Sequence, residues 1–142
     1  MRTIKFRGYS DELKSFVYGF YQEVNVNGVV YSYIFWQGNT TPVITDSVGQ
    51  FTGLHDKNGK EIYTGDILQL KKLDGIVLLY KIFFVKGGFA FNTHQDDFYK
   101  PQIEIYFYES TSDMQNSSFI STLEIIGNIF ENPELLEKKF AD

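Results

Sequence analysis

Alternating apolar and polar positions open the chain. From Arg2 to Tyr9 apolar residues alternate with basic ones, and after a polar turn Phe16, Tyr18 and Phe20 alternate again with their neighbours. A period of two is typical of half-buried strands. The pattern therefore predicts a hairpin formed by the first two strands.

A third strand follows the turn signal Asn27-Gly28. Val29–Trp36 is an aromatic and β-branched run, which favours a strand. The next residues, Gln37–Pro42, are mostly small and polar, and we expect them to form a loop.

The segment from Gln50 to Asp66 carries the clearest turn signals. Phe51–Leu54 predicts a short strand, and Asn58-Gly59 predicts a type I′ hairpin turn because both residue types tolerate positive φ. Thr64–Asp66 predicts a second tight turn. Further strands are expected at Ile67–Lys71, in the apolar run Ile76–Val85 after the turn Asp74-Gly75, at Phe89–Phe91 after Lys86–Gly88, and at Ile103–Phe107.

The C-terminal part predicts a strand followed by a short helix. Leu123–Phe130 is apolar and contains Gly127, which indicates a bend or a β-bulge. Asn132 is suited to cap a helix, and Pro133 fits the first helical position. A helix this short must pack on the sheet or on another subunit to persist.

Short strands separated by close turns predict a mainly β fold with a short C-terminal helix. We expect an antiparallel, strongly bent sheet or a small, partly open barrel with hairpins. The chain has no linker-like segment, so it is expected to be one domain over residues 1–142. Within it, we expect residues 1–48 as an N-terminal β subregion and residues 49–142 as a C-terminal core.

Composition narrows the chemistry. The 142 residues are 43% hydrophobic and 18% aromatic, carry a net charge of −5 and include no cysteine. Disulfides, cysteine-based zinc sites and thiol nucleophiles are thereby excluded, and we expect no cofactor. The N-terminus lacks a signal-peptide pattern, and the run at 76–85 is about half the roughly 20 residues of a membrane span. The expectation is a cytoplasmic protein that does not bind membranes.

Two segments together resemble the YopX family of phage and prophage proteins. They are FTGLHDKNGKEIYTGDI at Phe51–Ile67 and IIGNIFENPELL at Ile125–Leu136, and the opening Ile4–Arg7 is similar as well. His55 and Thr64 depart from the residues that are common in the family, as does Gly8-Tyr9. The resemblance implies a mostly β, self-associating protein of a phage-carrying bacterial cell, and it implies no reaction. The matching positions read mainly as turn and cap residues, namely Gly53, Asn58, Gly59, Gly65, Asp66, Gly127, Asn132 and Pro133.

Two groups of polar residues are candidates for chemistry. His94, Asp96 and Asp97 are suitable metal ligands, although a solvated loop explains them better. Asp66, Glu104 and Glu124 could serve acid–base chemistry only if the fold brought them together. No nucleophile elbow or phosphate loop is present, so we expect a protein that is not an enzyme.

Nucleic-acid binding is the main alternative. Gly88–Phe91 resembles part of an RNA-binding strand, in which Phe89 and Phe91 would stack on bases and Lys86 would contact phosphate. The rest of that motif is missing, and aromatic residues at this spacing are more often core residues. The basic residues Lys5, Arg7, Lys71, Lys72, Lys81 and Lys86 lie on several predicted strands, and the negative net charge also opposes phosphate binding.

The surplus of aromatic residues favours protein–protein contact. We therefore expect a homo-oligomer, with a host or phage protein as a further partner. The alternatives are a small nucleic-acid-binding barrel and a metal-dependent enzyme that uses His94, Asp96 and Asp97.

Overall fold

The computed structural model describes residues 3–85, 88–93, 105–106 and 119–137. The strands in this part of the chain are β1 (Phe6–Ser10), β2 (Ser15–Val26), β3 (Val29–Trp36), β4 (Asn39–Val43), β5 (Gly49–His55), β6 (Glu61–Tyr63), β7 (Asp66–Lys71), β8 (Val77–Val85), β9 (Gly88–Thr93), β10 (Ile105–Tyr106) and β11 (Glu124–Asn128). One short helix, α1 (Glu134–Glu137), follows them. The prediction of a mainly β, antiparallel fold with a short C-terminal helix is confirmed. Among the described helices, none has the length and apolar character needed to cross a membrane.

The chain divides after Gly53 into two compact units. In the first unit, the strands follow the order β4-β3-β2-β1-β5. In the second, they follow the order β10-β9-β8-β7-β11. Strand β5 continues across the division, and its end is the neighbour of β6.

The sheet of the first unit is strongly bent. The first half of β2 pairs with β1, where Phe6 lies opposite Gly19, and the second half pairs with β3, where Phe20 lies opposite Phe35. The sheet folds back until Val43 of β4 lies against Gly8 of β1. A Cβ at Gly8 would be 2.6 Å from a Val43 methyl group, so only glycine fits this approach.

Two-residue turns close the hairpins at both ends of β3. Asn27 and Gly28 have φ values of 52° and 85°, as a type I′ turn requires, and this predicted turn is confirmed. Gln37 and Gly38 have the same character, with φ values of 46° and 78°. They lead the chain directly into β4, so most of Gln37–Pro42 is a strand and the prediction of a loop there is wrong. Proline is tolerated in β4 because this strand lies at the edge of the sheet.

The hairpin between β5 and β6 forms at the expected place but with a different turn. Only Gly59 has a positive φ, 81°, and its N–H donates to the carbonyl of Asp56 at 3.0 Å. The loop is therefore a type I turn followed by a left-handed glycine, and the prediction of type I′ at Asn58-Gly59 is wrong. The Asp56 carboxylate explains the difference, since it accepts the N–H of Asn58 at 2.8 Å and stabilises the ordinary turn.

The core of the second unit is rich in aromatic and branched side chains. Tyr80 packs edge to face against Phe91 and Phe119, with ring centroids 5.7 and 5.6 Å apart. The other buried members of this core are Ile62, Leu68, Leu78, Ile82, Phe89, Ile120 and Leu123. The segment Phe119–Leu123 thus covers one face of the β7–β8–β9 sheet.

The C-terminal strand contains the expected bulge. The register of β11 against β7 shifts between Ile125 and Gly127. The side chain of Asn132 accepts the N–H of Asn128 at 3.2 Å, so it holds the end of the strand. A Cβ at Gly127 would be 2.6 Å from the Asn132 Oδ1 atom. The bulge and the loop after it therefore require each other.

Candidate protein-interaction surface

The β2–β3 hairpin has two faces of different character. On one face, Val17, Ser32 and Ile34 are buried. The side chains that alternate with them point the other way and are largely exposed. We call this outer set the aromatic face; its members are Tyr18, Phe20, Val24, Val26, Val29, Tyr31 and Phe35.

The exposure of the aromatic face is unusual for such large side chains. Phe20 is 68% exposed, and Phe35, its direct cross-strand neighbour, is 48% exposed. Tyr18 and Tyr31 are exposed to a similar extent. A half-exposed aromatic side chain presents about 100 Å², so these four present about 400 Å² together. The valines at the hairpin end enlarge this area, and apolar patches of several hundred Å² on soluble proteins often mark binding sites.

The aromatic face carries no charge. From Ser15 to Ile44 the only charged residue in the sequence is Glu23. Glu23 lies opposite Ser32 in the register and therefore belongs to the other face of the hairpin. The polar member of the outer side is Gln22, which pairs with Tyr33. A partner that binds here meets aromatic rings and methyl groups without a salt bridge to guide it.

Hydrogen bonds on the opposite side hold the hairpin in shape. The Tyr21 hydroxyl donates to a Glu23 carboxylate oxygen at 2.8 Å, and it also lies 3.1 Å from the Ser32 hydroxyl. The Ser32 hydroxyl forms a further hydrogen bond with the Thr45 hydroxyl, at 2.9 Å. Burial raises the pKa of Tyr21, and the adjacent Glu23 carboxylate adds to this effect, so the phenol stays protonated and can donate.

The rim of the aromatic face is formed by Arg7 and its neighbours. Arg7 of β1 lies opposite Tyr18 of β2, and its guanidinium group lies 4.8 Å from the centre of the Phe16 ring. Phe16 in turn packs edge to face against Tyr9. Arg7 is buried by these contacts, so its charge is not presented to a partner on the surface.

The residues expected to stack on nucleic acid lie elsewhere, in the core of the second unit. Phe89 and Phe91 are 3% and 2% exposed, so neither ring offers a face to a base. Their burial supports the alternative interpretation, in which they are core residues. Lys86 lies outside the described residues. Accessible aromatic residues include those of the β2–β3 hairpin, which sequence reasoning did not single out.

In the part of the chain that the structure describes, the candidate catalytic and metal-binding residues do not come together in a site. His94, Asp96, Asp97 and Glu104 lie outside the described residues. Asp66 is paired with Asn128 and Glu124 with Gln69, so these two carboxylates lie at opposite ends of the β7–β11 ladder. Within the described part of the chain, no three or more histidine, aspartate or glutamate side chains come together as metal ligands.

The basic residues are distributed over both units. Lys5 lies over the Phe51 ring at 5.2 Å, and Lys81 lies beside the Phe83 ring at 5.8 Å. Lys71 is opposite Val77 at the tip of the β7–β8 hairpin, next to Lys72, whereas Lys81 is opposite Ile67 at the other end of β7. The second unit therefore does not gather its described lysines around one point.

Comparison with known proteins places this fold in a family. The family model described as YopX protein matches residues 5–137. The chain belongs to the YopX family. Among solved structures, it is similar to protein EF1440 from Enterococcus faecalis, with 25% identity, a TM-score of 0.50, and coverage of 96% of this chain and 99% of that one. No curated protein matches the chain.

Several positions that carry the YopX resemblance fix the backbone of strands and turns. Gly53, Gly59 and Gly65 have φ values of 86°, 81° and 93°, where other residue types are strained. Asp66 accepts the N–H of Tyr63 at 2.8 Å and closes the turn between β6 and β7. These positions therefore shape the backbone of this chain.

Proposed function

We propose that this YopX protein is a non-enzymatic protein–protein interaction module that self-associates through the aromatic face. The proposal depends mainly on one observation: the β2–β3 hairpin exposes Phe20, Tyr31 and Phe35 on a surface without charge. Family membership supports a phage-type protein, and we place its action in the cytoplasm of the bacterial host.

The aromatic face offers apolar surface whose burial favours association. Its four half-exposed aromatic side chains supply about 400 Å² on each copy. A standard interface buries about 800 Å² per partner, so the valines at the hairpin end and the surrounding residues must contribute the rest. Phe and Tyr are also the residue types that are enriched in the centres of interfaces.

Charge does not oppose the approach of a second copy. The first 53 residues contain four basic and four acidic residues, so the unit that carries the aromatic face has no net charge. Two copies can therefore approach through this unit without strong repulsion, although the whole chain carries −5. A host or phage protein with an apolar surface is a further partner that the same face could accept.

The hairpin does not support the nucleic-acid alternative. Binding to phosphate needs clustered lysine or arginine side chains, and the sequence has none between Ser15 and Ile44. The rival residues Phe89 and Phe91 are buried. A gel-shift titration at low salt that showed tight binding weakening steeply with added salt would support this alternative against our proposal.

The test is the molar mass of the purified protein across a concentration series. Light scattering should show association for the natural sequence and a dissociation constant raised at least about tenfold for Phe20→Ser. Leu13→Ser is the matched control, because Leu13 is 50% exposed in the β1–β2 turn, outside the aromatic face, and its loss should change little. A strict monomer at every concentration would contradict the proposal.

A further inference from the structure

We infer that the aromatic face joins two copies and no more, in a dimer with two-fold symmetry. This inference rests on the proposed function, because it specifies the partner and the geometry of the same surface. It commits to a second copy of this chain whose aromatic face packs on the aromatic face of the first.

An uncharged apolar face is complementary to itself. In a two-fold interface each copy contributes the same patch, so any charged group near the axis meets its own like charge. The aromatic face avoids this problem because its members are aromatic or aliphatic, and Gln22 at its middle is neutral. Once two such faces are buried against each other, both are used, and association stops at two.

The β4 edge of the same sheet is poorly suited to pair with a strand of another copy. Strand β4 is short, carries Pro42 and ends where the N–H of Ile44 donates to the Tyr9 carbonyl at 2.9 Å. Proline and short length discourage pairing of an edge strand with another molecule. On the inner side of the hairpin, Val17 and Ile34 are already buried in the fold.

The strongest rival is a head-to-tail arrangement in which the tip of the β7–β8 hairpin enters the aromatic face of the next copy. Leu73 at this tip is fully exposed, with Ile76 and Val77 about half exposed. The turn is well held, since Lys72 donates its N–H to the Ile76 carbonyl at 2.8 Å. Such a contact would not close on itself and would generate larger assemblies.

Charge disfavours this rival. Leu73 is flanked by Lys72 and Asp74, and Lys71 precedes them. Insertion of the tip would place these charged groups against rings and methyl groups that offer no countercharge. Charged groups that lose water without a partner weaken an interface. Contact between two aromatic faces buries the apolar surface without that loss.

The absence of cysteine from the chain allows a direct test. Gln22→Cys places one thiol at the middle of the aromatic face, and Leu73→Cys places one at the hairpin tip. In a two-fold dimer, a short bis-maleimide should join two Gln22→Cys chains efficiently. A mixture of Gln22→Cys with Leu73→Cys, distinguished by mass, should give no mixed product above the level of an exposed control thiol at Glu12→Cys.

Light scattering completes the experiment. The expected mass reaches that of two chains and stays there as concentration rises, and Leu73→Ser leaves the dissociation constant within about twofold. Species larger than two chains, or a Gln22–Leu73 crosslink, would overturn the two-fold dimer and leave self-association in place. A monomer throughout would overturn both proposals. Circular dichroism of each variant verifies that the fold is retained.

Discussion

The carboxylate of Asp56 accepts the backbone N–H of Ile125, at 3.0 Å, across 69 residues of sequence. Its other oxygen accepts the N–H groups of Asn58 and Lys60 in its own turn. The N–H of Lys57 meanwhile donates to the Leu123 carbonyl at 2.9 Å. The β5–β6 turn thus covers the outer edge of β11 with a side chain and a main-chain bond.

Replacement of Asp56 should therefore destabilise the fold. Asp56→Ala leaves three backbone N–H groups without their acceptor, and we expect the free energy of unfolding to fall by about 3 kcal/mol. Asp74→Ala is the control, because the Asp74 carboxylate accepts a single N–H, from Ile76, at an exposed turn. Urea unfolding should show a loss below about 1 kcal/mol for that variant. Equal losses would contradict the role assigned to Asp56.

The same carboxylate should make stability depend on pH. Burial alone would raise its pKa, but the N–H donors from Ile125, Lys60 and Asn58, together with the Lys60 charge, lower the pKa below the ordinary 3.8. A lowered pKa in the folded state contributes stability above the ordinary value and loses it as pH falls through the folded value. The stability difference between the natural protein and Asp56→Asn should shrink below about pH 4. A constant difference in acid would argue against this linkage.

Phe89 should behave as a core residue. Phe89→Ala is expected to lower the free energy of unfolding by about 4 kcal/mol, because its ring is buried among apolar neighbours. Phe84, its cross-strand partner with ring centroids 5.4 Å apart, is 53% exposed and provides the comparison. Phe84→Ala should cost about 1 kcal/mol in the same urea titration. A stable Phe89→Ala protein that had lost nucleic-acid binding would reverse this assignment.

Gly127 and Asn132 should show coupled effects on stability. Gly127→Ala introduces a methyl group that collides with the Asn132 side chain, at an expected cost of about 2 kcal/mol. Asn132→Ala removes the acceptor for the Asn128 N–H but also relieves the closest clash of that methyl group, leaving the one with the Leu135 Cδ1 atom at 2.9 Å. The double variant should therefore lose less than the sum of the single losses, as thermal unfolding can measure. Strict additivity would mean that the two residues do not constrain each other.

Self-association should be nearly independent of salt. The aromatic face contains no ionised group, so the contact between two such faces includes no charge–charge interaction that salt could screen. Between about 50 mM and about 500 mM sodium chloride, the dissociation constant from sedimentation should change by less than about threefold. A steep weakening with salt would indicate that charged groups elsewhere in the chain dominate the contact.

Local sequence patterns predicted a strand correctly where the residues themselves favour the extended conformation. Val29–Trp36 is a strand with the bounds expected from its β-branched and aromatic residues, and the turn at Asn27-Gly28 precedes it. Strand β4 was missed because Pro42 and the small polar residues beside it read as a loop, and only pairing with β3 makes them a strand. That pairing is a tertiary effect, which local preference does not contain.

The candidate surface was harder to predict for a related reason. Alternation around Phe20 indicates a strand, but apolar residues occupy both faces of β2, so the pattern does not say which face is covered. The one available signal was the nearly charge-free stretch from Ser15 to Ile44. The turn at Asn58-Gly59 illustrates the same limit, since its type depends on Asp56, whose other contact comes from Ile125.

The continuity of β5 through Gly53 determines how the protein can be dissected in the laboratory. A fragment that stops at this glycine keeps the pairing of Gly49 and Gln50 with β1 but lacks the last two residues of β5. A complementary fragment that starts at Leu54 begins with a severed β-strand end. Expression trials of the hairpin-bearing unit should therefore extend through His55, and a cut directly after Gly53 should be avoided.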